Sequence, residues 1–374
     1  MTSSGPAGAP TVGSSGTRAT WAIGLTISAF FLWLAVRGTA WRDLALALGD
    51  LEPIAAGPLL AAAATFSILH LGARGARWRL LVAPLGDVST RRLAVVQWIG
   101  AALDNVLPAR AGDVARAALL RRDGIAGSAA FGTIIVERAI DVLATQLLLA
   151  AALFVLPVPR WLLALGVATP AISILGLLTI AWLLRDRRRL RRWLKRLPQR
   201  LHAAAERIGE AFLNGLQAAW RPGVTPAIVG WSLAVHACNL LASWAALAAC
   251  GVEGSLSALG AAMTLAVTTY VAFAVMLPAA PGQLGTLHFA CVTALAHFLV
   301  PTPQALAFAL VYHATQYLPV TAGGAFLLWR EVQSGFAWRR DPGAATQREA
   351  VDPIVGETVD EAVLLQDPSR SDAR

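Results

Sequence analysis

Charged residues are scarce in this sequence. Asp, Glu, Lys and Arg make up 14% of its 374 residues, whereas 56% are hydrophobic, and soluble domains carry roughly a quarter charged residues. Many apolar runs approach the roughly 20 residues that a helix needs to cross a bilayer. The composition excludes an ordinary soluble domain, and we predict an all-α, polytopic integral membrane protein.

Cysteine and catalytic motifs are also scarce. Cys238, Cys250 and Cys291 are scattered among apolar residues, which is typical of small core residues and not of a disulfide framework. The histidines show no metal-ligand spacing, so no metal site is predicted. Nucleophile-elbow, P-loop and dinucleotide-binding patterns are absent as well. We therefore expect no cofactor and favour a protein that is not an enzyme.

The net charge of +9 is concentrated in one loop. Arg185 to Arg207 holds ten Lys and Arg against two acidic residues. Nucleic-acid motifs and aromatic stacking platforms are absent, so a nucleic-acid partner is excluded. The loop is instead an orientation signal for the cytoplasm. Apolar residues recur at helical spacing within 185–212, which fits a helix on an anionic inner leaflet; a solvated loop that contacts nothing is the alternative.

The apolar segments predict about eight crossings. They are 20–36, 53–71, 128–156, 161–184, 224–250, 257–277, 288–300 and 305–329. The basic loop 72–92 and the near-neutral loop 37–52 place the N-terminus in the cytoplasm, and Arg330, Arg339 and Arg340 place the C-terminus there. We expect a disordered tail at 1–19, a membrane domain at 20–330 and a disordered acidic tail at 331–374.

Two breaks interrupt the apolar pattern, one in each half of the chain. The first, near 93–116, follows an apolar stretch too short to cross a bilayer and predicts a broken or re-entrant segment. The second lies near 278–290. Its helix-breaking residues are Pro278, Pro281, Gly282 and Gly285. Paired breaks in the two halves indicate a transporter binding site built from internal repeats.

The first break carries the strongest motif. Pro108 removes a backbone donor, and Gly112 permits the conformation that restarts a helix. Asp113 then stands near a helix N-terminus, with Arg110 and Arg116 three residues to either side. An arginine beside exposed N–H groups suits a phosphate. Two interpretations stay open: binding of an anionic headgroup, or a structural Arg–Asp pair that closes a turn.

A second charged cluster lies on the following helix. Glu137, Arg138 and Asp141 share this helix at spacings that bring their side chains together. A charge at the bilayer centre costs roughly 2.5–3.5 kcal/mol, so the cluster needs partners or water. It either lines the same polar cavity as the first break or anchors the helix at the interface. His288 follows the second break and is a candidate for a second site.

Four segments resemble the membrane region of the lysylphosphatidylglycerol synthetase/flippase family. They are LPARAGDVARAALL, VERAIDVLA, LPAAPGQLGTLHFA and RGARWRLLVAPLG. Members typically have Gly-Glu where this chain has Gly112-Asp113, and often an acidic residue near the position of His288. The resemblance implies a lipid-translocating module in the bacterial cytoplasmic membrane. An acidic tail follows residue 340, so the chain resembles the stand-alone members without an aminoacyltransferase domain.

The expected function is flippase-like transport of an anionic phospholipid or lipid-linked glycan. Its headgroup path is predicted at Asn105, Arg110, Asp113, Arg116, Glu137, Arg138 and Asp141. One alternative is a membrane enzyme or accessory subunit of lipid or polyisoprenoid-glycan synthesis, with Glu137 and Asp141 as its dyad. Another is a scaffold that binds lipid without moving it. Membrane lipids are the expected partners, and a homodimer is compatible with the sequence.

Overall fold

The computed structural model describes residues 14–51, 53–107, 110–155, 223–252, 254–275 and 280–339, with a few residues between 168 and 176. These residues form helices and turns and contain no strand, which confirms the all-α prediction. Their helices are α1 (Ser14–Val36), α2 (Trp41–Gly49), α3 (Pro53–Val82), α4 (Thr90–Val106), α5 (Ala111–Arg122), α6 (Gly127–Val155), α7 (Val224–Ala249), α8 (Ala258–Ala274), α9 (Thr286–Ala296) and α10 (Thr302–Arg339). The predicted amphipathic segment 185–212, residues 1–13 and 340–374 of the predicted tails, Pro108 and Pro278 lie outside the described residues. The rest of the two tails, 14–19 and 331–339, is helical and belongs to α1 and α10.

The chain is divided into two compact units, which are Met1–Ala325 and Phe326–Arg374. Every contact discussed below lies in the first unit. Two of the described helical segments are long and apolar enough to cross a bilayer, Ala55–Val82 and Val224–Ala249. A third span results if α1 and α2, which are bent by 82° at their junction, are counted together. The count of eight crossings stays a prediction.

Helix α3 is longer than the sequence pattern predicts. We expected the span to end near residue 71 and a basic loop to follow over 72–92, but α3 continues to Val82. The prediction of a loop is therefore wrong over 72–82. The physical reason is that no proline lies between Pro58 and Pro84, so nothing forces the helix to stop earlier. Arg74 and Arg77 become helix residues as a result.

The first break joins α4 and α5 as a close helical hairpin. The side chain of Ser89 caps α4 by accepting a hydrogen bond from the Arg92 amide at 3.2 Å. At the break, Arg110 takes a left-handed conformation with φ of 54° and α5 starts directly after it. Glycine is needed where the two helices touch, because a Cβ on Gly112 would lie 1.9 Å from the carbonyl oxygen of Gly100. A broken segment near 93–116 is confirmed.

The second break consists of a 3-10 turn at Pro281–Gln283 between α8 and α9. It contacts α1: the hydroxyl of Ser28 accepts a hydrogen bond from the buried amide of Ala280 at 2.8 Å. The backbones also meet, since a Cβ on Gly285 would lie 2.2 Å from the carbonyl oxygen of Ser28. Gly285 has φ of 88°, a conformation that favours glycine. The predicted break near 278–290 is confirmed in the described residues.

Helix α10 connects the two breaks. The side-chain amide Nδ2 of Asn105, at the end of α4, donates a hydrogen bond to the Thr321 hydroxyl at 2.9 Å. The Tyr317 hydroxyl donates to the carbonyl oxygen of Asn105 at 3.3 Å. The same tyrosine ring packs against Gly282, where a Cβ would lie 2.7 Å from the ring. The breaks from the two halves of the chain therefore meet beside one stretch of α10.

Helices α7 to α10 share an apolar core. Leu247, Val267, Cys291 and Phe308 belong to it and are fully buried. Cys291 therefore lies in the core, as the sequence predicted for a small apolar-flanked residue. This packing fixes α8 and α9 on either side of the second break.

Candidate functional site

Four arginines and four carboxylates form a continuous ion-pair network where α3 to α6 meet. The arginines are Arg74, Arg77, Arg116 and Arg138, and the carboxylates are Asp104, Asp113, Glu137 and Asp141. Buried charges are tolerated when they are paired and hydrogen-bonded. The equal numbers of positive and negative groups make this network neutral, which explains how it exists inside a membrane protein.

Glu137 is the centre of the network. Its side chain is fully buried, and its two oxygens accept hydrogen bonds from different arginines: Arg74 at 2.8 Å and Arg116 at 2.5 Å. Arg77 approaches the first oxygen to 3.9 Å. The guanidinium of Arg116 also lies 4.0 Å from the ring centroid of Trp78, a cation–π contact. Arg116 is thus held on two sides and has a structural role.

Arg138 links the carboxylates of the first break. It donates to Asp113 at 2.7 and 3.2 Å and lies 3.7 Å from Asp104. Asp104 in turn accepts a hydrogen bond from the amide of Gly112 at 2.8 Å. This carboxylate from α4 therefore satisfies one of the free N–H groups at the start of α5. The network and the hairpin stabilise each other.

Arg77 connects the network to α7. Its side chain is fully buried, pairs with Asp141 and donates to the Ser232 hydroxyl at 3.1 Å. Because Ser232 lies on α7, the second half of the chain is hydrogen-bonded to the network of the first half. Arg77 is therefore a structural connection between the halves.

Arg110 differs from the other four arginines. Within the described part of the chain it forms no ion pair; its guanidinium donates to the carbonyl oxygen of Val275, at the end of α8, at 3.3 Å. Its side chain is exposed. With Arg110 included, the described site holds five arginines against four carboxylates, so it carries one unbalanced positive charge.

Two adjoining cavities border the network, each of about 290 Å³. The first, which we name the break cavity, is lined by residues of both breaks, such as Asn105 and Gly282, and by Tyr317 of α10. The second, which we name the histidine cavity, lies between α3, α6, α7, α8 and α10 and is lined by His70, His236 and Asn239 among others. Both cavities share a wall, whose charged members are Arg74, Arg110 and Arg138.

The seven residues predicted for the headgroup path lie around one site but in two layers. Asn105, Arg110, Arg138 and Asp141 line the cavities. Asp113, Arg116 and Glu137 are buried among the ion pairs. The two arginines flanking Asp113 also separate: Arg116 lies 3.5 Å from Asp113, whereas Arg110 faces the cavities. Arg116 thus pairs with Asp113, whereas Arg110 forms no ion pair among the described residues.

His288 is buried and does not appear among the residues that line the two cavities. Its ring meets the ring of His313 edge to face, with centroids 5.1 Å apart. His313 does line the break cavity. A second site at His288 stays a prediction.

Arg74, Arg77 and His70 are the site residues that sequence reasoning missed. The sequence contains a signal for them, because His70, Arg74 and Arg77 recur at intervals of four and three residues, the spacing of one helix face. We assigned the two arginines to a cytoplasmic loop because basic residues usually mark such loops. The carboxylates of α6 are four residues apart and the two arginines of α3 that pair with them are three residues apart, so each pair lies on one helix face.

These features define the class: a multi-helix membrane protein in which broken helices surround a charged cavity. The chain matches the lysylphosphatidylglycerol synthase TM region over residues 21–324. It belongs to this family, and the resemblance drawn from the motifs is confirmed. No curated protein matches the chain. The family makes it a membrane protein connected with lipids.

Proposed function

We propose that the protein is a flippase-like transporter that moves an anionic phospholipid or lipid-linked glycan across the bacterial cytoplasmic membrane. One observation carries the proposal: two helix breaks from different halves of the chain meet at one cavity, and Arg110 faces that cavity without an ion-pair partner among the described residues. Discontinuous helices of this kind form substrate sites in secondary transporters.

The charge of the site suits a phosphate. The unbalanced charge of Arg110 attracts an anion, and Arg74 and Arg138 lie in the wall of the same cavity. A guanidinium binds a phosphate through two parallel hydrogen bonds, and such charge-assisted bonds are roughly twice as strong as neutral ones. A bound phosphate group with one negative charge would balance the five arginines against five negative groups.

Binding and transport fit this site better than catalysis. Glu137 and Asp141 are the carboxylates that an enzymatic dyad would use. Glu137 accepts hydrogen bonds from two arginines, and Asp141 is paired with Arg77. A general base must be able to take up a proton in the reaction, and a carboxylate held by arginines is a poor base. The proposal is therefore that the protein is not an enzyme and that lipid transport is either energised by gradients or runs downhill.

The test is lipid transfer in liposomes that contain the purified full-length chain. Fluorescent phosphatidylglycerol and a labelled polyisoprenyl phosphate are compared in the wild type and in Arg110→Ala. The matched control is Arg122→Ala, which removes an exposed arginine at the end of α5, outside both cavities. We expect Arg110→Ala to reduce transfer by roughly tenfold or more, the effect of one charge-assisted hydrogen bond.

Two results would contradict the proposal. If Arg110→Ala transfers lipid at the wild-type rate, the arginine has no role in transport. If folded wild-type protein moves neither lipid but forms a headgroup product by itself, the enzymatic alternative is correct. The Arg122→Ala control is expected to transfer at the wild-type rate.

A further inference from the structure

His313 is a titratable residue of the break cavity that does not belong to the ion-pair network. It lies on α10, is half-buried and lines the cavity. Its ring is hydrogen-bonded to the backbone carbonyl of Gly282 in the second break. The rings of His288 and Tyr317 lie next to it, with centroid distances of 5.1 and 5.2 Å. Because Tyr317 donates to the carbonyl oxygen of Asn105, His313 contacts the second break directly and the first break through Tyr317.

The ring of His313 has a nitrogen that can take up a proton. A carbonyl oxygen only accepts hydrogen bonds, so the ring nitrogen bonded to Gly282 carries a hydrogen. In a neutral ring the other nitrogen then keeps a lone pair. A proton that binds to this lone pair gives the ring a positive charge while the bond to Gly282 is retained.

The two neighbouring histidines are less suited to a proton. His288 is buried, and its Nδ1 accepts a hydrogen bond from the Gly285 amide at 3.4 Å. A proton on Nδ1 would break this bond and add positive charge at the N-terminus of α9, which the helix dipole opposes. His70 lies four residues before Arg74 on α3, so a charged His70 would stand beside a like charge. Neither restriction applies to His313, whose neighbours three and four positions away on α10 are uncharged.

The charge of the break cavity links a proton on His313 to an anion. Among the described residues, the charged side chains that line this cavity are Arg74, Asp104, Arg110 and Arg138. The other titratable side chains that line it or contact His313 are His70, His288 and Tyr317. The described site carries one excess positive charge, so a further positive charge on His313 is disfavoured until an anion has bound. Proton and anion therefore favour each other's binding, and by linkage the effect is equal in both directions.

Building on the proposed function, we infer that transport is coupled to protons. His313 binds one proton when the break cavity holds the anionic lipid, and the two cross the membrane in the same direction. The proton binds to the lone pair of the ring nitrogen from one side of the membrane and leaves the same nitrogen to the other side. Because one positive and one negative charge move together, the transfer is electroneutral. A pH gradient then drives lipid towards the alkaline side, whereas a membrane potential alone does not.

Lipid binding at two pH values tests the proton site. Labelled phosphatidylglycerol is titrated into full-length protein in phosphatidylcholine nanodiscs at about pH 6 and about pH 8, on either side of the ordinary histidine pKa. The phosphodiester keeps its single charge at both values. Opposite unit charges about 10 Å apart, at an effective dielectric constant of about 20, favour each other by roughly tenfold. We expect the wild type to bind roughly five- to tenfold more tightly at the lower pH.

Three variants assign the pH dependence to a residue. His313→Gln keeps a donor for Gly282 but takes up no proton, so its affinity should be the same at both pH values. His297→Gln is the matched control, because His297 bonds to Tyr270 and lines neither cavity, and it should behave like the wild type. Wild-type binding that does not change with pH would overturn the inference. A pH dependence that persists in His313→Gln would overturn the assignment to His313, and its loss in His70→Gln would then place the proton on His70.

Accumulation of lipid in liposomes tests the coupling. The liposomes contain the full-length protein, a trace of labelled phosphatidylglycerol and a pH gradient of about one unit, and potassium with valinomycin sets the membrane potential. Protein-free liposomes give the passive movement, which is subtracted. We expect the wild type to enrich the label in the leaflet on the alkaline side by up to about tenfold, the limit for one proton per lipid. His313→Gln should distribute it equally, and a potential alone should enrich neither leaflet.

The outcomes separate this inference from the proposed function. Equal distribution in the wild type despite the pH gradient would reveal an uncoupled transporter and overturn the inference alone. Enrichment on the acidic side would mean that lipid is exchanged for protons, and would overturn the common direction. Absence of any lipid transfer would count against the proposed function itself, while the binding measurement would still decide on the proton site. The two wild-type measurements need no variant, so they decide on the coupling even if His313→Gln fails to fold.

Discussion

Replacing Glu137 by Gln removes the charge on which the network depends. The amide keeps the shape of the side chain, but Arg74, Arg77, Arg116 and Arg138 are then left with three carboxylates. Removing one partner of a buried ion pair costs about 3–5 kcal/mol, because the remaining charge stays buried. Glutamine still offers one carbonyl oxygen as an acceptor, so we expect a loss at the lower end, about 3 kcal/mol.

Thermal denaturation of the full-length protein in detergent measures this loss. The unfolding entropy is about 2.1 cal/mol/K per residue, so in this chain of 374 residues a loss of about 3 kcal/mol should lower the midpoint by about 4 °C. Asp123→Asn is the matched control. Asp123 pairs with Arg92, and about a quarter of each side chain is exposed. Such a pair contributes about 0–1 kcal/mol, and the control should shift the midpoint by less than about 2 °C.

Equal shifts in Glu137→Gln and Asp123→Asn would refute the argument that burial of the network decides its contribution. A double variant provides an independent check. In Arg116→Met/Glu137→Leu both partners become apolar, and such replacements are often neutral or stabilising. The double variant should therefore lose less stability than the sum of the two single changes.

Two further predictions concern the backbones at the breaks. Gly112→Ala should strongly reduce the yield of monodisperse protein, because its Cβ would lie 1.9 Å from a carbonyl oxygen of α4. Gly72→Ala is the control and should be tolerated, since its Cβ would have nothing within 4 Å. Size-exclusion chromatography of both variants measures the yield. Ser28→Ala leaves the buried backbone amide of Ala280 without its acceptor and should lower the free energy of unfolding by about 1–3 kcal/mol, as measured by denaturation. Thr26→Ala is the control, and because its site is exposed it should change the free energy of unfolding little. Equal behaviour within either pair would contradict these contacts.

The breaks were predictable because proline and glycine act on the local backbone. Gly282 and Gly285 take positive φ angles in the second break, and this preference depends on the residue itself and its chain neighbours. At the first break the positive φ falls on Arg110, and Gly112 is required by the close approach of Gly100 on α4. A sequence pattern is therefore sufficient to place them.

The ion pairs were predictable only in part, because their partners lie far apart in the chain. The sequence placed Arg110 and Arg116 symmetrically around Asp113, and both could pair with it. In the structure Arg138 makes the shortest contact with Asp113, at 2.7 Å, and Arg110 turns to the cavities. Which arginine stays free for a ligand depends on how α6 packs against α5, and no local pattern contains that information.

The position of the ion-pair network in the chain also matters for insertion into the membrane during synthesis. All eight of its charged residues lie between Arg74 and Asp141, so their charges can neutralise each other before the second half of the chain has been synthesised. The break cavity, in contrast, is complete when Gly282 and Tyr317 are in place. Pairing the charges within one segment therefore lowers the free energy of inserting them into the membrane early in synthesis. The break cavity is assembled last.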